Sequence, residues 1–223
     1  MTDPGGQSPR ERYRAQVRAE IKQHAWGQIA TAGVPALSLN AIAKQMGMSG
    51  PALYRYFASR DELITELIRD AYRSLADTVR TAFDSGADLY ALAGVIREWA
   101  RSDPHRYFLI YGTPVPGYHA PDDITAISSE VMAVLLEACG ALSPDSSVDS
   151  SVDSPVTPFD AHVENHREWA DGHPATAATL HSALSFWTRL HGVLSLELAG
   201  HFTGMAFDPE LLMTEELKNL PSS

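Results

Sequence analysis

The sequence predicts an all-α fold, and three observations predict it. Apolar residues recur at spacings of three and four along most of the chain, the period of a helix with one buried face. Ser, Asp and Pro stand where helices would begin, and Gly or Pro where they would end. No segment shows a convincing strand pattern.

The elements follow in order. Residues 1–9 (MTDPGGQSP) are rich in Gly, Pro and Ser, so a disordered leader is expected. From Arg10 to about Thr31, the positions Tyr13, Val17, Ile21, Ala25 and Ile29 form a helical stripe, which Gly33 and Pro35 stop. Ser38 caps a short helix, LNAIAKQM, closed by Gly47 in the left-handed conformation. Ser49 caps the next short helix, where Pro51 is tolerated because first-turn N–H groups have no helical partner. Ser59-Arg60-Asp61-Glu62 reads as a capping box, and it opens a helix running to about Thr81 or Phe83. Further helices are expected near 88–101, 104–111, 122–139, 159–171, 174–200 and 209–219. TPVPGYHAP (113–121) holds three prolines and a glycine and is read as a loop. Residues 143–158 repeat the tetrapeptide SSVD in an acidic, Ser- and Pro-rich run, expected to be a disordered insert.

Composition sets outer bounds. The 223 residues are 44% hydrophobic and 20% charged, ordinary for a globular protein with one sizeable core or a small domain on a larger one. Cys139 is the only cysteine and cannot form an intramolecular disulfide, which excludes a stapled extracellular fold. The first residues lack the apolar core of a secretory signal. The longest apolar runs, 131–142 and 190–202, are interrupted by Glu137 and Glu197, so no membrane span is expected and the location is read as cytoplasmic. The net charge of −11 divides unevenly: residues 1–60 carry +5 and the rest −16. A polyanion would be drawn to the first part and repelled by the second.

The basic part contains the informative motif. SLNAIAKQMGMSGPALYRYF (38–57) sets two short helices around a tight turn. Ala41, Ile42, Met46, Met48, Leu53 and Phe57 stand where a small helix-turn-helix interlocks, and Ala43 and Gly47 allow close approach. Ser49, Gly50, Pro51, Ala52, Tyr54, Arg55 and Tyr56 are left facing outward. A short helix that is polar on its outer side suits presentation to a phosphate-lined major groove; an ordinary helical hairpin is the alternative.

With Ser59 to Leu63, this segment resembles the DNA-binding domain of the TetR/AcrR family of transcriptional repressors. The matching residues are Ile42-Ala43, the turn Gly47-Met48-Ser49, Leu53-Tyr54-Arg55-Tyr56-Phe57, and Ser59 to Leu63. Met48 replaces the usual valine, Tyr56 a common histidine, and Arg60 a lysine. The resemblance covers about residues 10–70 and implies a helix-turn-helix domain at 10–58, a linker helix at 59–81, and an effector-binding and dimerisation domain at 82–223. It also implies that Ser38, Tyr54, Tyr56 and Arg60 touch phosphates, with Lys44 adding a phosphate or groove-edge contact. Arg55 is the long cation available to read a guanine, and Pro51 and Ala52 offer apolar surface to a thymine methyl. Ser49 and Gly50 complete the DNA-facing set. Packing is the alternative role for Tyr54, and a plain phosphate contact for Arg55.

Farther along, Trp187-Thr-Arg-Leu-His191-Gly192 resembles the Trp-x-x-x-His-Gly signature of one C-terminal domain type attached to such repressors, and residues 111–121 are similar to a loop found there. Trp187, Leu190, Leu194 and Leu198 can equally be a core stripe. An aromatic surplus, Trp99, Phe108, Tyr111, Tyr118, Trp169, Phe186 and Trp187, is compatible with a cavity for a small apolar ligand, with His105 and His191 as polar groups. Core filling is the alternative for each.

Catalytic signatures are absent: no Gly-x-Ser-x-Gly, His-Glu-x-x-His, phosphate loop or Cys-x-x-Cys occurs. His162 and His166, with Glu164 and Glu168, read as a solvated helix face rather than a metal site, and no cofactor is expected. The expected function is a ligand-released repressor that binds a palindromic double-stranded DNA operator as a homodimer. The rivals are a constitutive DNA-binding dimer and an all-α enzyme that carries a helix-turn-helix.

Overall fold

The computed structural model describes residues 8–112, 118, 120–142, 157–218 and 220. Among them every regular element is helical. In chain order these are α1 (Pro9–Ala32), α2 (Leu39–Gln45), α3 (Gly50–Leu53), α4 (Arg60–Asp84), α5 (Leu89–Ser102), α6 (Pro104–Tyr111), α7 (Asp122–Leu142), α8 (Pro158–Asn165), α9 (Ala177–Leu198) and α10 (Pro209–Lys218). Short 3-10 turns at Val34–Ala36 and Glu168–Ala170 complete the set. The fold is all-α. The expected leader and insert lie outside the described residues except at their ends. Ser8 and Pro9 already begin α1, and Thr157 and Pro158 begin α8. Of the loop at 113–121, Tyr118, Ala120 and Pro121 are described.

The chain divides into two compact units, Met1–Ala71 with His105–Ala120, and Tyr72–Pro104 with Pro121–Ser223. In the first, Val17, Ile21, Ala25 and Ile29 form the buried stripe of α1, as the spacing predicts, but Tyr13, expected in the same stripe, is exposed because it lies near the helix start, beyond the packed part of α1. Leu37, Leu39, Ile42, Ala43, Leu53, Phe57, Leu63, Ile64 and Leu67 add to the buried residues of this unit. Ala41, expected in this core, is exposed, and Met46 and Met48 are only half-buried. α2 lasts under two turns, and Leu39, Ile42 and Ala43 alone fill its inward face. α1 starts with a capping box: Ser8 Oγ accepts from Glu11 N at 3.2 Å, and the Glu11 carboxylate accepts from Ser8 N at 2.7 Å. It ends at Gly33, whose φ of +76° suits a residue without Cβ.

In the second unit α7, α8 and α10 pack on α9, whose Leu180, Ala183, Phe186, Leu190 and Leu194 repeat at helical spacing and are fully buried. α7 is, among the described residues, the one helix long and apolar enough to cross a membrane by length and composition, although Glu130 and Glu137 interrupt it. Its apolar face is instead spent on packing: Val131, Val134, Leu135, Leu136 and Ala138 are buried, as is Cys139, whose thiol burial pushes up to about 12. Its two internal acids are paired, Glu130 with Arg73 and Glu137 with Arg80, and both carboxyls are held below the usual range by those hydrogen bonds.

Several expected boundaries move by a few residues, and two of the shifts have a visible cause. The helix expected over 159–171 ends at Asn165, and a 3-10 turn follows. Arg167 folds back there, giving its Nη2 to the carbonyls of His173 and Ala175 at 2.8 and 2.9 Å, while Asp171 and Gly172 take positive φ. α9 starts at Ala177 rather than 174 because Thr176 Oγ1 accepts from Thr179 N at 3.2 Å, which fixes the cap there.

Candidate nucleic-acid interface

α2 and α3 are short helices around a turn that only glycine makes without strain. Gly47 has φ +67°, and Met48 N donates to Ala43 O at 3.0 Å across the turn. Ser38 caps α2, its Oγ accepting from Ala41 N at 3.3 Å, and its own N–H donates to the Gln28 side chain of α1 at 2.9 Å. Ser49 occupies the corresponding place before α3, but its hydroxyl makes no cap bond. The helix is a single turn, with Pro51 already removing one N–H from those a cap could satisfy.

α3 ends at Leu53, earlier than the motif suggests, so Tyr54, Arg55 and Tyr56 ride on the turn that follows. Lys44, Ser49, Pro51, Tyr54 and Arg55 are exposed; Ser38, Gly50, Ala52, Tyr56 and Arg60 are half-buried. The sequence-derived residues therefore gather on and beside one helix-turn-helix. Lys44 and Arg55 make no ion pair among the described residues. Arg60 is partly committed elsewhere, since its Nε donates to Leu37 O at 3.1 Å and its Nη2 to Val34 O at 2.7 Å. The capping box at α4 also differs in one arm. Ser59 Oγ accepts from Glu62 N at 3.0 Å, but the Glu62 carboxylate accepts from Ala58 N at 2.6 Å.

Arg14 and Arg18 of α1 are the residues that sequence reasoning missed. Arg14 Nη2 donates to Arg55 O at 3.2 Å, and its guanidinium lies 5.8 Å from the centre of the Tyr56 ring. Arg18 donates to Tyr56 O, lies 4.1 Å over the Phe57 ring and pairs with Glu66 at 3.3 Å. The spacing of Arg14 and Arg18, one helical turn apart, was the available signal; their partners are about forty residues away.

The eight effector candidates divide between the units. In the first, His105 is exposed, while Phe108 and Tyr111 are half-buried with ring centres 5.4 and 5.3 Å from that of the fully buried Tyr107. Tyr118 is half-buried, and its hydroxyl is buried without a hydrogen-bond partner among the described residues. In the second unit, Trp99 is buried with Nε1 donating to Ser74 Oγ at 3.1 Å, and Phe186 is fully buried. Trp187 meets His191 edge-on with ring centres 4.0 Å apart. Burial lowers the His191 imidazole to about 4, so it is neutral at pH 7. Trp169 lies apart from these, lining a cleft of about 240 Å³ with Met132, Leu136, Asp171 and His173.

Comparison with known proteins agrees with this layout. Residues 21–67 match the family described as bacterial regulatory proteins, tetR family, and residues 89–220 match a tetracyclin repressor-like C-terminal domain. The HTH-type transcriptional regulator Rv1816 of Mycobacterium tuberculosis is 35% identical over 215 residues, 93% of this chain and 92% of that protein. A crystal structure of the regulatory protein SCO4313 is 67% identical, with a TM-score of 0.84 over 95% of this chain and 98% of that one. A protein of unknown function from Rhodococcus sp. RHA1 shares the fold at 18% identity and a TM-score of 0.64, covering 99% of this chain and 100% of that one. The helix-turn-helix and the helical C-terminal unit thus have one common source, and the chain belongs to the TetR family of transcriptional regulators.

Proposed function

We propose that this regulator is a homodimeric repressor that holds a palindromic operator through α2 and α3 and releases it when a small apolar ligand occupies the C-terminal unit. The observation that carries the reading is the exposed set Lys44, Pro51, Tyr54 and Arg55 around one tight turn, in a segment whose residues 1–60 carry +5. Arg55 reads a base edge, while Ser38, Lys44, Tyr54 and Tyr56 fix register on phosphates. Arg60 has fewer donors left for a phosphate, because Nε and Nη2 hold the carbonyls before α2 and Nη1 lies 3.8 Å from Asp61.

One turn of helix offers few contacts, so two half-sites about one DNA turn apart are required. The surface of α9 and α10 supports a dyad there. Thr188, Gly192, Leu196 and Ala199 form an exposed face, and a Cβ at Gly192 would meet nothing within 4 Å in this chain. Met205, Phe207 and Leu211 are exposed beside the start of α10. Ala183 and Leu194 of the same helix are buried in the unit's own core and take no part. A helical bundle across the dyad would cover the open face. Coupling runs through α4, which contributes residues to both units, and the ligand must favour one spacing of the recognition elements.

Selection from randomised duplexes combined with sedimentation tests the first half. The expected result is a dimer bound to inverted half-sites; a monomer with full affinity contradicts it. Titrating apolar aromatic compounds while following tryptophan fluorescence and operator binding tests the second half. Binding that leaves operator affinity unchanged removes ligand control and leaves a constitutive DNA-binding dimer.

A further inference from the structure

We infer that Arg14 and Arg18 are positioning residues for operator reading, which set the pose of α3 from α1 rather than touch phosphates. The inference rests on α3 being the recognition element.

The physical need is plain. A helix of four residues, Gly50–Leu53, is little more than a single hydrogen-bonded turn, too short to hold its own orientation. The carbonyls of Arg55 and Tyr56, just past its end, accept from Arg14 and Arg18 of α1. Hydrogen bonds from a charged donor are stronger than those between neutral groups, and they act here on the residues that carry the base-reading side chain. Each guanidinium also lies against a ring of the same segment, Arg14 by Tyr56 and Arg18 over Phe57. Arg18 is in turn fixed by α4, with Glu66 at 3.3 Å and Glu62 at 3.9 Å. Glu62 accepts from Ala58 N, so the same carboxylate that braces Arg18 closes the loop after α3. α1 and α4 thereby grip both sides of a segment too short to hold itself. A rotation of that segment would carry Arg55 off its base edge while leaving the phosphate contacts near it free to adjust.

A phosphate contact and a positioning contact leave different marks. Removing a phosphate contact weakens all duplexes alike and reduces the salt slope by about one. Removing a positioning contact leaves the slope unchanged and lowers the preference for the selected site. Arg14→Ala is the first variant, because Arg14 is exposed and its loss leaves the core intact. Full-length dimer is titrated at several salt concentrations with a duplex selected by the wild-type protein and with a scrambled duplex. The expected result is a drop of about tenfold in the ratio of selected to scrambled affinity, an unchanged slope, and partial recovery in Arg14→Lys. Arg18→Ala should lower the ratio further, and it is scored only on protein whose thermal transition remains cooperative. Equal weakening on both duplexes with a shallower slope, or no effect on either, overturns the inference. Failure of the underlying reading looks different: Arg55→Ala would then leave the selected duplex bound as tightly as before.

Discussion

Arginines do different work in the two units. In the first, Arg60 donates to the carbonyls of Val34 and Leu37, and Arg14 and Arg18 to those of Arg55 and Tyr56. In the second, Arg73, Arg80 and Arg97 pair with carboxylates: Glu130, Glu137, and Glu197 together with Glu210. A guanidinium bound to a carbonyl keeps its positive field, whereas one bound to a carboxylate loses most of it at a distance. Arg14 keeps its field in this way, whereas Arg18 also faces Glu66 at 3.3 Å and Arg60 lies 3.8 Å from Asp61. In the acidic remainder Arg73, Arg80 and Arg97 hold helices together through carboxylates, while Arg167 and Arg189 donate to backbone carbonyls. A count of charges along the sequence misses this, because it weighs Arg14 and Arg97 equally.

The largest expected effect breaks the second pattern. Arg97 is buried, with Nε and Nη2 forked onto Glu197 at 2.9 and 2.7 Å and Nη1 on Glu210 at 2.9 Å. Arg97→Ala leaves the Glu197 carboxylate without its main cation and should cost about 3 kcal/mol in urea unfolding. Arg101, 3.8 Å from Glu197, is placed to take up part of the loss; a cost below about 1 kcal/mol would mean that it takes up nearly all of it.

Next comes His191. Its folded-state pKa is lowered from 6.5 to about 4 by burial, so the unfolded chain binds its proton more readily. Stability from keeping the ring neutral is complete above about pH 6.5 and is lost as pH falls toward 4, on the order of 3 kcal/mol in total. His191→Gln should remove that portion of the acid slope. A slope between pH 6.5 and 4 that is identical in the variant would assign the acid sensitivity to other groups.

How much of this was legible depends on the range of the interactions. Caps, stops and stripes act within four residues, and the sequence placed ten helices because Gly33, Ser38, Gly47 and Ser59 act locally, although the cap at Ser8 was read as part of a leader. The helix-turn-helix was legible because its fixed spacing is itself the signal. The Arg97 fork joins residues a hundred positions apart, and the grip of Arg14 on Arg55 spans 41. Neither leaves a periodic trace. The end of α8 was misread because the break at His166 carries no glycine or proline, and Arg167 ties the segment after it to carbonyls six and eight residues on.

Arg55 and Arg60 sharpen the first unit's side of the comparison. Arg55→Ala should cost about 1–3 kcal/mol on the selected duplex, confined to one base pair, with little change in stability. Arg60→Ala removes two bonds to the carbonyls before α2 and should cost about 1 kcal/mol in unfolding as well as some affinity. If Arg60→Ala weakens DNA binding and leaves stability intact, its carbonyl bonds contribute nothing net.

The smallest effects separate two serines in equivalent places. Ser38 Oγ caps α2 on Ala41 N, whereas the Ser49 hydroxyl caps nothing and is exposed. Ser38→Ala should therefore cost about 1 kcal/mol of stability, the usual worth of a cap, and Ser49→Ala less than about 0.3 kcal/mol. Any operator affinity lost with Ser49→Ala then belongs to the hydroxyl's own contact with DNA, since no folded-state bond disappears with it. Ser38→Ala mixes both terms, and comparing its affinity loss with its stability loss shows how much of α2's placement depends on the cap. Equal destabilisation by the two substitutions would mean that Ser49 caps α3 in solution, and the recognition segment would then have a local anchor besides the two arginines of α1.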